Sequence, residues 1–281
     1  SVWNQKGLGA GHPDTKIERQ HPAPFSFTDV ARLIRFFTKS GQTVLDPFLG
    51  IGSTLKACVV EGRSGIGIEL NPTFAELSRE RLDTEVDDLF SNSSEVTIHE
   101  GDCREVLKTI ETESVDFVVT SPPYWSILKK QDHKVKQERI EKGLVSDYGN
   151  DPRDLGNIDS YEDFLYELGL ILNECGRTLK KGKYMGIIVS DFRDKSKYIM
   201  FHSDLARELE KYGITERAQD GTWQICQEYR FLDNGEERLR IGTVDAFQGM
   251  EFDIVFLSMV RSLDMNALPP NIRNEQDYKK K

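Results

Sequence analysis

Cysteine is scarce in this chain, with four in 281 residues. Cys58, Cys103, Cys175 and Cys226 are widely scattered. No two stand at a spacing that would hold a metal or cycle as a redox pair, so they are read as small buried apolar groups or spectators, and no metal is expected. Long hydrophobic runs are also lacking: none approaches the roughly 20 residues of a membrane span. The stretch SVWNQKGLGAGHPDTK at residues 1–16 has no signal-peptide core. A cytoplasmic protein with no membrane partner is therefore expected. Positive charge is in deficit, with 37 Lys and Arg against 47 Asp and Glu and a net charge of −10. That argues against a protein that coats nucleic acid through a general basic surface. It leaves room for a nucleic-acid enzyme, which needs only one positive face. Glycines occur near strand ends, but no Walker lysine follows them, so no phosphate loop is expected. Internal repeats and low-complexity tracts are absent.

What is present is an alternation of strand and helix. TDVARLIRFFTK (28–39) has helical spacing behind a capping Thr. TVLD (43–46) is a short strand, PFLGIGST a glycine-bearing turn, and TLKACVVEGR a helix. GIGIEL (65–70) is a second strand, and Asn71-Pro72 cap the helix after it. EVTIHE (95–100), the helix CREVLKTI and VDFVVTS (115–121) follow. After a long polar loop to about residue 158, SYEDFLYELGLILNECGRTLKKG reads as an amphipathic helix ended by Gly182. YMGIIVSDF (184–192) is a fifth strand, and FHSDLARELEKYG a helix ended by Gly213. This pattern predicts an α/β fold with a doubly wound, mainly parallel sheet. Residues 217–262 break the rhythm. WQICQEYRFL, RLRIGTVDAF and DIVFLSMV read as strands without intervening helices, which predicts an antiparallel C-terminal hairpin closing the sheet. Residues 1–216 are thus read as one domain and 217–281 as a tail that supplies its closing strands.

In doubly wound sheets ligands sit beyond the carboxyl ends of the strands. Past the first strand stand Asp46, Phe48, Gly50 and Gly52, where two close glycines make a tight turn and let a backbone approach a ligand. Glu69 ends the second strand, placed to accept from both hydroxyls of a ribose. Asp102 follows the third and could hold an exocyclic amine. TSPPYW (120–125) follows the fourth. Two prolines cannot donate to a β-ladder, so the strand must stop there, leaving either a stiff packing turn or a rigid cup for something flat. Singly, a glycine pair is a turn and a strand-end acid is solvated. Four such features in order, each at a strand end, point to a ligand site.

DPFLGIGST, GIEL, GDC and TSPPYW resemble the cofactor and catalytic motifs of S-adenosylmethionine-dependent amino-group DNA methyltransferases. HPAPFS (21–26), DYGNDPRDLGNIDSYEDF and GIIVSDFRDKSKY also look like segments of that family. The resemblance implies a Rossmann-like fold with S-adenosylmethionine as cofactor, DNA as partner, and a cognate restriction enzyme as a candidate second partner. It places Asp46 near the methionine amine, with Phe48, Gly50 and Gly52 shaping the pocket. It gives Glu69 the ribose hydroxyls and Asp102 the adenine amine, while Pro22, Ala23, Pro24 and Phe25 close the methionine end. His21 is read as a turn histidine and Trp125 as a packing residue.

Ser121, Pro122, Pro123 and Tyr124 would form the catalytic motif. Serine at its head resembles the cytosine-N4 enzymes more than the adenine-N6 ones. The expected activity is therefore methyl transfer to the N4 amine of a flipped-out cytosine. N6-adenine transfer, or an inactive DNA-binding module of a restriction or repair complex, is the alternative. The motifs run in the order opposite to that of many cytosine-N4 enzymes, as in a circular permutation. Six cations in SILKKQDHKVKQERIEKG (126–143), among them Lys129, Lys130, Lys134 and Lys136, are a candidate phosphate-contacting stretch. RIGTVDAFQGMEFDIVFLSMVRS (240–262) resembles part of the second motor domain of superfamily 1 helicases, without the other motor motifs an ATPase would need.

Overall fold

A computed structural model of the chain describes residues 17, 20–21, 26–86, 94–125, 151–194 and 196–212. It also describes four short strands beyond them. The elements begin with α1 (Phe27–Phe37), β1 (Thr43–Asp46), α2 (Ser53–Glu61), β2 (Ser64–Glu69) and α3 (Pro72–Glu85). They continue with β3 (Val96–Glu100), the single turn α4 (Cys103–Val106) and β4 (Val115–Thr120). Next come α5 (Tyr161–Thr178), β5 (Leu179–Val189), β6 (Phe192–Asp194), β7 (Lys197–Ile199) and α6 (Phe201–Glu210). The last strands are β8 (Thr215–Arg217), β9 (Trp223–Ile225), β10 (Arg240–Ile241) and β11 (Ile254–Ser258).

One seven-stranded sheet runs in the order β10-β11-β5-β4-β1-β2-β3, and every neighbouring pair in it is parallel. Strand alternation sends side chains to two helical layers. Val44, Phe117, Val119 and Ile188 join Val30 and Ile34 of α1 and Ala57 of α2 in one apolar cluster. Leu45, Val118, Met185 and Ile187 join Phe164, Leu168 and Ile171 of α5 and Phe201 of α6 in the other. Helices on both faces of a parallel sheet make this the doubly wound, Rossmann-like fold the sequence predicts.

Local chemistry fixes the helix starts. Asn71 accepts the Thr73 N–H at 2.9 Å with Pro72 in the first turn of α3. The Ser160 hydroxyl accepts from Asp163 N–H at 3.1 Å at the start of α5. Gly52 stands before α2 at φ +79°, where a Cβ would come within 3.1 Å of Ser78 Cβ on α3, so glycine is required there for both reasons.

Three expectations change. The fifth strand starts at Leu179 rather than 184, and α5 stops at Thr178. KKGKY belongs to the strand because Leu179 pairs with Val115 and Tyr184 with Phe117, across a register shift in β4. Past β5 the sequence read no hairpin, yet β6 and β7 pair antiparallel. At the C-terminal side an antiparallel hairpin is present, but β8 and β9 form it as a separate two-stranded sheet. The strands that extend the main sheet, β10 and β11, run parallel to β5. Residues 242–253 lie between them, the dozen or so that a parallel crossover requires and a tight hairpin does not.

Candidate active site

The carboxyl ends of β1, β2, β3 and β4 open onto a cavity of about 280 Å³. Asp46, Phe48, Gly50, Glu69, Asp102, Ser121, Pro122, Pro123 and Tyr124 all line it. Gly52 does not line it; it shapes the turn behind. Pro22, Ala23, Pro24 and Phe25 lie outside the described residues, as does the basic stretch 126–143, so their predicted roles stay expectations.

Asp46 is buried, and its carboxylate accepts from Phe48 N–H at 3.0 Å, Thr120 Oγ1 at 2.7 Å and Thr54 Oγ1 at 2.5 Å. Burial raises its pKa, and these three hydrogen bonds work against the shift. Asp46 thus ties the end of β1 to β4 and to the first turn of α2. Glu69 holds the glycine turn from the other side: Oε2 accepts from Gly50 N–H at 2.7 Å and Oε1 from Asn71 N–H at 2.8 Å. Burial pushes Glu69 up to about 7 against those two bonds, and the Asp154 and Asp46 carboxylates add to the rise. Gly50 has φ +59°, and a Cβ there would stand 3.4 Å from His21 Nε2. His21 is 8 % exposed, packs edge-on against Phe74 at 4.7 Å, and lines the cavity. The sequence reading had it as a turn residue; its place at the head of HPAPFS was the available signal.

Asp102 caps α4 and is gripped by Arg104. The guanidinium Nε donates to Oδ1 at 3.0 Å and Nη2 to Oδ2 at 2.7 Å. Burial alone would raise the Asp102 pKa, but the Arg104 bonds outweigh it and the net shift is down. The same guanidinium reaches Glu167 Oε2 on α5 at 2.9 Å and the carbonyl of Arg153 at 2.8 Å. It thereby fastens the segment from Asp151 to Leu155, whose Asp151, Arg153, Asp154 and Leu155 close one wall of the cavity. The sequence reading named DYGNDPRDLG only as a segment; the pocket role of these four residues, and of Arg104, was missed.

At the end of β4 Ser121 and then the two prolines follow Thr120, and Pro122 is buried. Tyr124 packs edge-on against Phe192 at 6.3 Å and Phe201 at 6.1 Å. Burial raises its pKa, so the phenol stays neutral; a backbone hydrogen bond with Ser190 opposes the rise and the Asp191 charge adds to it. Trp125 donates from Nε1 to Ile158 O at 3.0 Å and lies 5.2 Å from Tyr161, which makes it a packing residue. Cys58, Cys103 and Cys175 are free and buried. Among the described residues no group of three or more His, Cys, Asp or Glu could hold a metal ion, and no helix is long and apolar enough to cross a membrane.

Comparison with known proteins bears on these residues. Residues 1–80 match the DNA methylase family, and residues 188–275 match an AAA domain. Type II methyltransferase M.ScaI of Streptomyces caespitosus is 33% identical over 90 residues, 32% of this chain and 30% of that protein. Type II methyltransferase M.MjaI of Methanocaldococcus jannaschii is 41% identical over 81 residues, 29% of this chain and 26% of that one. The chain thus spans under a third of the length of these curated relatives. Among solved structures, a precorrin 8w decarboxylase of Methanobacterium thermoautotrophicum aligns with a TM-score of 0.42 at 15% identity, over 72% of this chain and 85% of that one. The N-terminal segment, with the glycine turn and Glu69, therefore carries DNA methylase sequence, and the chain passes into AAA-domain sequence towards its C-terminal end.

Proposed function

We propose that residues 1–216 form an S-adenosylmethionine-dependent DNA methyltransferase domain acting on an exocyclic amine, the N4 amine of cytosine. Residues 217–281 are a tail whose last two strands extend the sheet, within a match to AAA-domain sequence that already begins at residue 188. The observation that carries this reading is convergence: the glycine turn, Glu69, Asp102 and Ser121–Tyr124 come from four strand ends and line one cavity. The relatives that share the N-terminal sequence are Type II methyltransferases.

The cavity fits the cofactor. Gly50 gives a side-chain-free surface at positive φ, and Glu69 offers a carboxylate beside it with both oxygens already oriented by backbone N–H groups. When bound, S-adenosylmethionine supplies an electrophilic sulfonium methyl. Glu69 would accept from the ribose hydroxyls. Asp102 would take the adenine amine by sharing its oxygens with Arg104.

The amine of a cytosine is a poor nucleophile because its lone pair is delocalised into the ring. Ser121 Oγ and the Pro122 carbonyl would accept its two N–H groups and draw the nitrogen towards a tetrahedral, more nucleophilic form. The prolines fix φ, so these acceptors need no reordering as the reaction proceeds. Tyr124 would give the flipped base a face to stack on. Ser121 acts as an acceptor here, so it needs no base beside it. Adenine N6 presents the same chemistry to the same cup and is the alternative substrate.

The test is transfer of labelled methyl from the cofactor to DNA, RNA and protein, followed by nucleoside mass spectrometry. N4-methylcytosine in DNA is expected. N6-methyladenine alone would redirect the base assignment, and label found only in RNA or protein would refute the DNA reading. Ser121→Ala should lower kcat by tenfold or more and leave cofactor affinity within about twofold, because that acceptor works at the reacting amine.

A further inference from the structure

Asp102 and Arg104 both line the cavity, and three N–H groups of Arg104 are spent on the Asp102 carboxylate. The Arg104 backbone N–H donates to Oδ1 at 3.0 Å and caps α4. Nε lies 3.0 Å from Oδ1 and 3.1 Å from Oδ2, and Nη2 donates to Oδ2 at 2.7 Å. Capping needs only the backbone N–H, so the side-chain fork has no part in starting α4. An ionised carboxylate offers about four lone-pair sites, and among the described residues these three donors occupy it, which leaves room for about one more N–H. The guanidinium is itself held in place, by Glu167 Oε2 on α5 at 2.9 Å and by the Arg153 carbonyl at 2.8 Å.

Part of the same cavity wall is apolar. Ile68, Cys103, Leu155 and Ile171 line it, are buried and belong to one apolar cluster. A slot of that kind with one fixed acceptor suits a flat heteroaromatic ring that carries an N–H donor. Burial alone would raise the Asp102 pKa, but the Arg104 bonds outweigh it and hold it below the ordinary value. The carboxyl is therefore charged and has no hydrogen of its own to give. The other charges at this end are Arg153, whose field also favours the charged form, Glu167 on Arg104, and Asp151, which pairs with Arg153 at 2.7 Å.

We infer that Arg104 is the specificity-determining residue at the purine end of the cavity: its fork fixes Asp102 as an acceptor with room for one N–H, so that the site takes a 6-amino purine and refuses a 6-oxo one. This rests on the cofactor reading above and adds the residue that enforces it. A 6-amino group aims an N–H at the remaining lone pair. A 6-oxo group aims its own lone pairs at a carboxylate that cannot donate, and the fork stops Asp102 from turning away. Arg104 is thus a positioning residue, acting on the purine through Asp102.

The test is titration calorimetry of the full chain with S-adenosylhomocysteine and with its 6-oxo analogue, S-inosylhomocysteine, at several pH values, with melting curves to check the fold. The parent is expected to prefer the 6-amino ligand about tenfold or more, because a site built to accept a hydrogen bond rejects a ligand that lacks the donor. That ratio should stay level with pH. Titration of Glu69 drops out of it, since both ligands carry the same ribose. In Arg104→Met burial acts on Asp102 without the guanidinium, so the carboxyl takes up a proton more readily and gains an O–H for a 6-oxo group. Its ratio should fall below the parent's and shrink further as the pH is lowered, a profile that a merely structural role would not produce. Arg104→Lys keeps the charge and loses the fork, so its ratio should be lower than the parent's and level with pH. Either variant folding and matching the parent ratio at every pH would overturn the role of Arg104 and leave the methyltransferase reading intact. So would a parent that binds both ligands equally. A parent that binds neither ligand would sink both readings.

Discussion

Glu69 holds the glycine turn, and the proposed function gives the same carboxylate the ribose of the cofactor. It accepts from Gly50 and Asn71 N–H groups, and burial lifts its pKa to about 7 all the same. A carboxyl with a raised folded-state pKa binds its proton more readily folded than unfolded. Its contribution to stability therefore falls as pH rises from the ordinary carboxylate range to about 7. The binding consequence has the opposite sign. Ribose hydroxyls need acceptors, and the charged form offers more of them. Cofactor affinity, measured by titration calorimetry, is expected to rise between pH 6 and about pH 7 and level off above, with proton release on binding. Glu69→Gln should bind more weakly and without that pH dependence. An unchanged profile in the variant would move the ribose contact elsewhere. Glu69 was legible in the sequence because its position after an apolar strand is informative without any contact. His21 and Arg104 were not, since His21 acts through Gly50 and Phe74 and Arg104 joins Asp102 to Glu167 and the Arg153 carbonyl, contacts between residues far apart in the chain.

At the scale of elements, α2 and α3 are joined by charge as well as by apolar contact. Glu85 Oε2 accepts from Lys56 Nζ at 2.8 Å and from Arg81 Nε at 2.9 Å. The side chains of Lys56 and Arg81 are 4% and 0% exposed. Arg81 also donates to Ser53 Oγ at 2.8 Å, at the start of α2 and on the cavity wall, while its Nη2 has no partner. One carboxylate thus serves two buried cations. Glu85→Leu would remove the carboxylate that both buried cations share, and the loss should be about 3–5 kcal/mol in denaturant melts. Arg81→Met leaves the Lys56–Glu85 pair intact and removes an unsatisfied donor, so it should cost clearly less. Equal losses would show that the pair adds nothing to packing. None of this network could be read from STLKA or RERLDTE, because helical spacing says which residues share a face and not which charges are buried. The order of strands and helices, by contrast, was readable, since apolar periodicity is a local property.

At the scale of the whole molecule, the question is what finishes the sheet. Five residues of β11, Ile254–Ser258, pair in parallel with Met185–Val189 of β5, and β10 pairs beyond them. The tail was expected to close the sheet as a hairpin, from the strand-like look of RLRIGTV and DIVFLSMV. An unbroken apolar run such as IVFL is equally the pattern of a parallel strand, and the dozen residues before it decide for a crossover. β5 matters because Ser190 and Asp191, which sit against Tyr124, follow directly from its last residue. Removing β11 would leave the β5 edge a row of unpaired N–H and C=O groups, open to pairing with other chains. The same cut would loosen the strand end that supports Tyr124. Truncation after Gly213 is therefore expected to lower the melting temperature and broaden the transition by calorimetry. It should also produce higher-order species in light scattering and reduce methyl transfer. A truncated chain that melts, sediments and methylates like the parent would show that the pairing contributes nothing. ATP hydrolysis is expected from neither form, because the chain contains no Walker lysine to bind the phosphates.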